Sequence, residues 1–217
     1  MKTFLSIGSG PGIGTATAER FAKEGFQIVL TSRDIAKLGE RVVQLKDKGY
    51  TVSSKWADAG DLDSIIALIR ETESEFGPID VLHFNSASMH AGTIETQKSD
   101  TFVADLTINI GAALVAIQEV SRSMLDRGEG TILLTGGNLA VKPNPDYLLL
   151  GIGKAGIRNL TQAVFESFRE RGVHIGMVTV STLVKPGSAE ASGVADAFWA
   201  LHAEPKYLWS PEAKYPA

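Results

Sequence analysis

Four glycines, Gly8, Gly10, Gly12 and Gly14, fall within the seven residues Gly8-Ser9-Gly10-Pro11-Gly12-Ile13-Gly14. The apolar run Thr3-Phe4-Leu5-Ser6-Ile7 precedes them and reads as a buried strand. Residues 15–25 follow, with Ala16, Ala18, Phe21 and Ala22 apolar among charged neighbours, which is a helical pattern. A glycine-rich turn between strand and helix lets the backbone approach a phosphate closely, and the amides of the helix N-terminus favour its charge. Gly8, Ser9, Gly10, Gly12, Ile13 and Gly14 are therefore candidate nucleotide-binding residues. Their spacing reads G-x-x-x-G-x-G, through Gly8, Gly12 and Gly14. It differs from G-x-G-x-x-G, and no Lys-Ser/Thr pair follows to make a Walker loop.

A second strand over residues 27–31 ends in Ser32-Arg33-Asp34. An acid at this strand end would bond a free adenosine ribose and repel a 2′-phosphate. Ser32 and Arg33 favour the 2′-phosphate, and so NADP over NAD, while Asp34 suits the N-cap of the next helix. A third strand over residues 50–56 is followed by Asp58, and a fourth over residues 80–84 by Asn85-Ser86-Ala87-Ser88. In parallel sheets ligands sit beyond the carboxyl ends of the strands, so Gly8, Arg33, Asp58 and Asn85 should line one crevice.

Helical patterns over residues 35–48, 61–76, 99–127 and 147–171 alternate with these strands, and with further strands over 130–135 and 173–180. That alternation predicts an α/β fold, a Rossmann-type doubly wound parallel sheet of six to seven strands. The long helix 99–127 carries an apolar stripe of Phe102, Leu106, Ala113, Ile117 and Val120, with Asn109 on the same stripe. A buried asparagine needs partners for its amide. Gly151, Gly153 and Gly156 sit in the helix 147–171, which suggests close approach by a ligand or another backbone.

The 217 residues, 44% of them hydrophobic, suffice for a single domain over 1–217, with a short variable segment from about 181. A net charge of −4 argues against nucleic acid or an anionic membrane as a partner. There is no cysteine, no leader pattern and no apolar stretch of about 20 residues, so a cytoplasmic location is expected.

The order of parts resembles the short-chain dehydrogenase/reductase family, from Lys2 to about Val180. Gly8, Gly12 and Gly14 match its cofactor loop and Asp58 its adenine-facing aspartate. Asn85 and Ala87 keep two positions of its Asn-Asn-Ala-Gly, and Asn109 matches its relay asparagine. Lys154 matches its active-site lysine, which holds the nicotinamide ribose. The resemblance implies an NADP-dependent oxidoreductase acting on a small-molecule carbonyl or alcohol. It also implies a homodimer or homotetramer, for which Gln118, Arg122, Phe165 and Phe168 are candidate contacts. Thr182, after the sixth strand, joins the expected cofactor contacts.

The chain departs from that pattern at its chemical centre. The family's tyrosine, four residues before the lysine, is here Leu150, its serine falls at about Gly137, and its Pro-Gly after the sixth strand is Ser181-Thr182. Loss of a positioned acid typically costs on the order of 10²–10⁴-fold in rate. Tyr147 is the nearest substitute, seven residues before Lys154 and so about 10.5 Å away on a continuous helix. His90 is a second candidate acid. His83 is expected in the core, and His174 and His202 at the periphery. No metal-ligand spacing occurs. The catalytic set expected is therefore Lys154, Asn109 and Tyr147, and the alternative is an NADP(H)-binding sensor or partner subunit without turnover.

Overall fold

The computed structural model describes residues 1–216. Seven parallel strands form one sheet in the order β3-β2-β1-β4-β5-β6-β7. They are β1 (Thr3–Ile7), β2 (Gln27–Ser32), β3 (Val52–Trp56), β4 (Ile79–Phe84), β5 (Gly130–Thr135), β6 (Val173–Val180) and β7 (Glu212–Tyr215). Strands covered on both faces need near-continuous apolar sequence. β1, β4 and β5 meet that demand, which is why local pattern found them. β3 starts two residues later than expected, because Tyr50 still donates its backbone N–H to Leu45 O at the end of the preceding helix. β7, with the sequence Glu-Ala-Lys-Tyr, has no apolar run. It exists because it pairs with Met177 to Val180 of β6.

Helices α1 (Ile13–Lys23), α2 (Ile35–Asp47) and α7 (Ala189–Ala203) cover one face of the sheet. Helices α3 (Leu62–Phe76), α5 (Ala112–Arg127) and α6 (Leu148–Glu170) cover the other. From β1 the chain winds outward through β2 and β3, and from β4 outward in the opposite direction. The crevice between β1 and β4 is the point of reversal, where α/β sheets bind ligands.

The expected long helix is present but interrupted. α4 (Ser99–Leu106) runs into one π-helical turn, Thr107–Gly111, and then into α5. The extra residue in that turn rotates α4 out of phase with α5. Phe102 is therefore exposed, whereas Asn109, Ala113, Ile117 and Val120 are buried. Contrary to the reading of the sequence, residues Ser99–Arg127 contain an 18-residue window of mean hydropathy 1.5, enough by length and composition to cross a membrane. Its apolar residues Ala112, Ala113, Ala116, Ile117, Val120 and Met124 are packed in the core beside the sheet.

Candidate functional site

The glycine loop is fixed from beneath. Ser9 N donates to Thr31 O at 3.0 Å, Ser9 Oγ donates to Ser6 O at 3.0 Å, and Asn85 Nδ2 donates to Gly8 O at 2.8 Å. Gly8 has φ +86°, and a Cβ there would lie 2.6 Å from Ser86 N. A Cβ on Gly14 would lie 2.7 Å from Gly8 O. These two glycines let strand, loop and helix close up, while nothing stands within 4 Å of the side-chain position of Gly10. Gly12 caps α1 without a side-chain hydrogen bond, and the first turn holds no acid. Among the described residues the backbone N–H groups of Gly12, Ile13 and Gly14 have no partner. Free amides at a helix N-terminus suit an anion.

The loop opens on a crevice of about 600 Å³ lined by Gly8, Ser9, Gly10, Ser32, Arg33, Asp58, Asn85 and Ala87, together with Met89, His90 and Ile108. The strand-end residues expected to converge do so here. Arg33 is exposed, with Nε 3.9 Å from Asp58 Oδ1, and that same oxygen accepts from Gly60 N at 2.9 Å. Asp34 caps α2 by accepting from Lys37 N at 3.1 Å, and that bond holds its carboxyl below the usual range. A further cation, missed in the sequence, is Arg41. It reaches back from α2 to donate to Ser9 O at 3.1 Å.

A second cavity, of about 530 Å³, adjoins the first and shares Gly10, Asn85, Ala87 and Met89 with it. Lys154, Leu150, Gly137, Asn138, Thr182 and Val184 are among its other walls. Lys154 Nζ donates to Thr135 O at 2.7 Å, and burial pushes the ammonium pKa down to about 8. Lys154 is the one ionisable residue lining this space among the described residues. A Cβ on Gly137 would meet the Lys154 chain at 3.5–3.7 Å, an ordinary contact. Gly136 is different, because a Cβ there would overlap Met177 Cε.

Asn109 sits in the π turn, buried, where its Oδ1 accepts from Ser88 N at 2.7 Å and its Nδ2 points at Leu149 O, 3.5 Å away. It joins the loop after β4 to the start of α6. The α6 glycines explain how it fits. A Cβ on Gly153 would overlap Asn109, and one on Gly156 would overlap Ile110. The close approach expected at these glycines is made by the π turn.

Tyr147 is not brought to the cavity. It caps α6 with φ −131° and ψ 49°, outside the helical region, so it is not held on the helix face that Lys154 occupies. Its backbone bridges Gly92, and its hydroxyl has no hydrogen bond among the described residues. His83 is buried between Ser6 Oγ (3.2 Å) and Thr135 Oγ1 (3.3 Å), and burial pushes its pKa down to about 3. His174, expected at the periphery, is fully buried and stacked on Trp209 at 4.7 Å. His202 is half-buried with Nδ1 2.9 Å from Thr131 Oγ1, and its pKa is lowered to about 4, chiefly by burial. β7 and the tail before it cover what a strand count of six would leave open. His90 is exposed, its Nδ1 3.3 Å from Oδ1 of the buried Asp105, which also accepts from Ser88 Oγ at 2.5 Å. Phe165, expected at a subunit contact, is in the core instead, while Gln118 and Arg122 are exposed.

A parallel sheet that reverses its winding over a glycine loop, with a half-buried lysine at the far side of the crevice, defines a dinucleotide-fold protein. The model of the short-chain dehydrogenase family matches residues 2–192, and the chain belongs to that family. It is similar to an uncharacterized oxidoreductase of Staphylococcus saprophyticus, 26% identical over 199 residues that cover 91% of this chain and 82% of the relative. Among solved structures, a short-chain dehydrogenase from Rhodopseudomonas palustris gives a TM-score of 0.89 at 24% identity, covering 98% of this chain and 97% of the other. A metagenomic short-chain oxidoreductase in complex with NADP gives 0.89 at 24% identity, covering 98% and 95%.

Proposed function

We propose that the protein is an NADP-dependent oxidoreductase that interconverts a small carbonyl compound and its alcohol. The observation that carries this reading is the junction of two cavities over one glycine loop, one with Arg33 and Asp58, the other with Lys154 and the free amides of Gly12 and Ile13. The free N–H groups of Gly12, Ile13 and Gly14 fit a diphosphate, and Arg33 and Arg41 fit the charge of a 2′-phosphate. Asp58 fits the adenosine end, and Asn85, Ala87 and Thr182 fit the nicotinamide half between the cavities. The NADP-bound relative supports the same choice of cofactor. When bound, the cofactor supplies hydride chemistry. The chain's own residues would exclude water with Leu139, Leu150 and Val184, orient the ribose through Lys154, and brace the loop through Asn109. The assembly into a dimer or tetramer, the cytoplasmic setting, and the lack of nucleic-acid and membrane partners belong to the same proposal.

A second reading, binding without turnover, is favoured by the absence of a side-chain hydroxyl at residues 137 and 150. Two measurements separate the readings. Titration of NADPH and NADH against wild type and Arg33→Ala should show tighter NADPH binding, weakened roughly 10-fold by the substitution. Equal affinities, unchanged in the variant, would count against NADP preference. Oxidation of NADPH across a panel of aldehydes and ketones should then occur. Tight binding without oxidation would favour the non-catalytic reading.

A further inference from the structure

We propose that Lys154 is itself the proton donor of the reaction, its ammonium delivering a proton directly to the oxygen of a carbonyl substrate held in the second cavity. This rests on the oxidoreductase reading above and names the acid which that reading lacks.

The first support is geometric. An ammonium carries three N–H donors, and Lys154 Nζ has one partner among the described residues, Thr135 O at 2.7 Å. Among the described residues no carboxylate lines the cavity beside it. Two donors are thus left in the wall of a cavity of about 530 Å³, one for the ribose and one for the substrate oxygen. The second support is elimination within that wall. Leu150 and Gly137 bring no hydroxyl, and Tyr147 lies outside it. Asn85 and Asn138 are amides, and the hydroxyls of Thr135, Ser181 and Thr182 do not ionise near neutral pH. The third support is access. Gly137 puts no side chain against the methylene chain of Lys154, which a Cβ there would touch at 3.5–3.7 Å. Finally, burial among apolar groups lowers the ammonium pKa to about 8. The group is mostly protonated at neutral pH and yields its proton readily, which is the condition for efficient general acid catalysis.

The step balances simply. As hydride, supplied by reduced nicotinamide, adds to the carbonyl carbon, the C=O π pair moves onto oxygen. One N–H bond of Lys154 breaks and an O–H bond forms, giving the alcohol and a neutral amine. Water at the cavity mouth then reprotonates the amine.

The test needs a residue that keeps the charge but cannot release a proton. Arginine does both, because its guanidinium stays protonated at any working pH. At saturating NADPH, with binding of the cofactor followed separately by calorimetry, Lys154→Arg should reduce the carbonyl panel at least about 100-fold more slowly than wild type. Independently of activity, protein made with carbon-13-labelled lysine should show one side-chain resonance, absent in the variant, titrating near pH 8. Wild-type turnover should fall about tenfold per pH unit above that midpoint. The proposal is overturned if Lys154→Arg keeps more than a tenth of wild-type turnover. It is also overturned if the lysine resonance stays that of an ammonium to about pH 10, or if turnover is flat while it titrates. Should the variant not fold, the resonance and the wild-type profile still decide. Failure of wild type to oxidise bound NADPH would overturn the oxidoreductase reading as well, whereas turnover without Lys154 dependence would overturn this proposal alone.

Discussion

Gly153 of α6 lies directly against the Cβ of Asn109 in the π turn, with no room for a methyl group between them. Ser88, bonded to Asn109 through its backbone, is thereby held at a fixed height above the sheet. Gly153→Ala should therefore push the π turn away and destabilise the protein by about 1–3 kcal/mol, the usual cost of overpacking. Gly151, whose side-chain position meets only Leu139 O at 3.8 Å, is the control. Gly151→Ala should be neutral or stabilising by up to about 1 kcal/mol, since alanine is the better helix former. Thermal melts of the two variants beside wild type check the contrast, and equal effects would remove the special role given to Gly153.

Tyr147→Phe should leave both turnover and NADPH affinity within about twofold of wild type, because its hydroxyl has no partner among the described residues and Tyr147 does not line the cavity. The sequence points the opposite way, since the spacing to Lys154 suits a shared helix face. Steady-state kinetics decide between them. A loss of about 100-fold would restore the tyrosine as acid and displace Lys154.

Two desolvated histidines set a stability limit on the acid side. His83 and His202 have folded pKa values near 3 and 4, below the unfolded value near 6.5. Between those values the unfolded chain binds protons that the folded one does not. The contribution of these histidines should accordingly be constant above about pH 7 and fall as pH drops through 6.5, by up to about 1.4 kcal/mol per pH unit for each. Urea midpoints from about pH 8 down to pH 5 measure the slope, and His83→Gln should flatten it. An unchanged slope in that variant would show that His83 does not contribute.

The parts of the fold that were legible were those fixed by local pattern. Buried parallel strands announce themselves as apolar runs, and the loop at Gly8 to Gly14 declares its need for backbone freedom. The convergence of Arg33, Asp58 and Asn85 followed from topology alone. What escaped was decided by contacts distant in sequence. β7 is a strand only because β6 offers an edge. His174 is buried only because Trp209 folds over it, and Arg41 reaches Ser9 from a position that looks like any charged helix face. The helix expected from residue 147 starts at Leu148, because Gly92 captures the backbone on either side of Tyr147.

The π turn at Thr107–Gly111 gives one continuous rod two independent phases. An added residue offsets the faces on either side of it by about 100°. Downstream, the phase is locked to the sheet by Ala113, Ile117 and Val120. Upstream it is set by Asp105, which faces Ser88 and His90 rather than the core. Substitutions in α4 can therefore re-aim the loop over the cavities without disturbing the packing that holds the domain together.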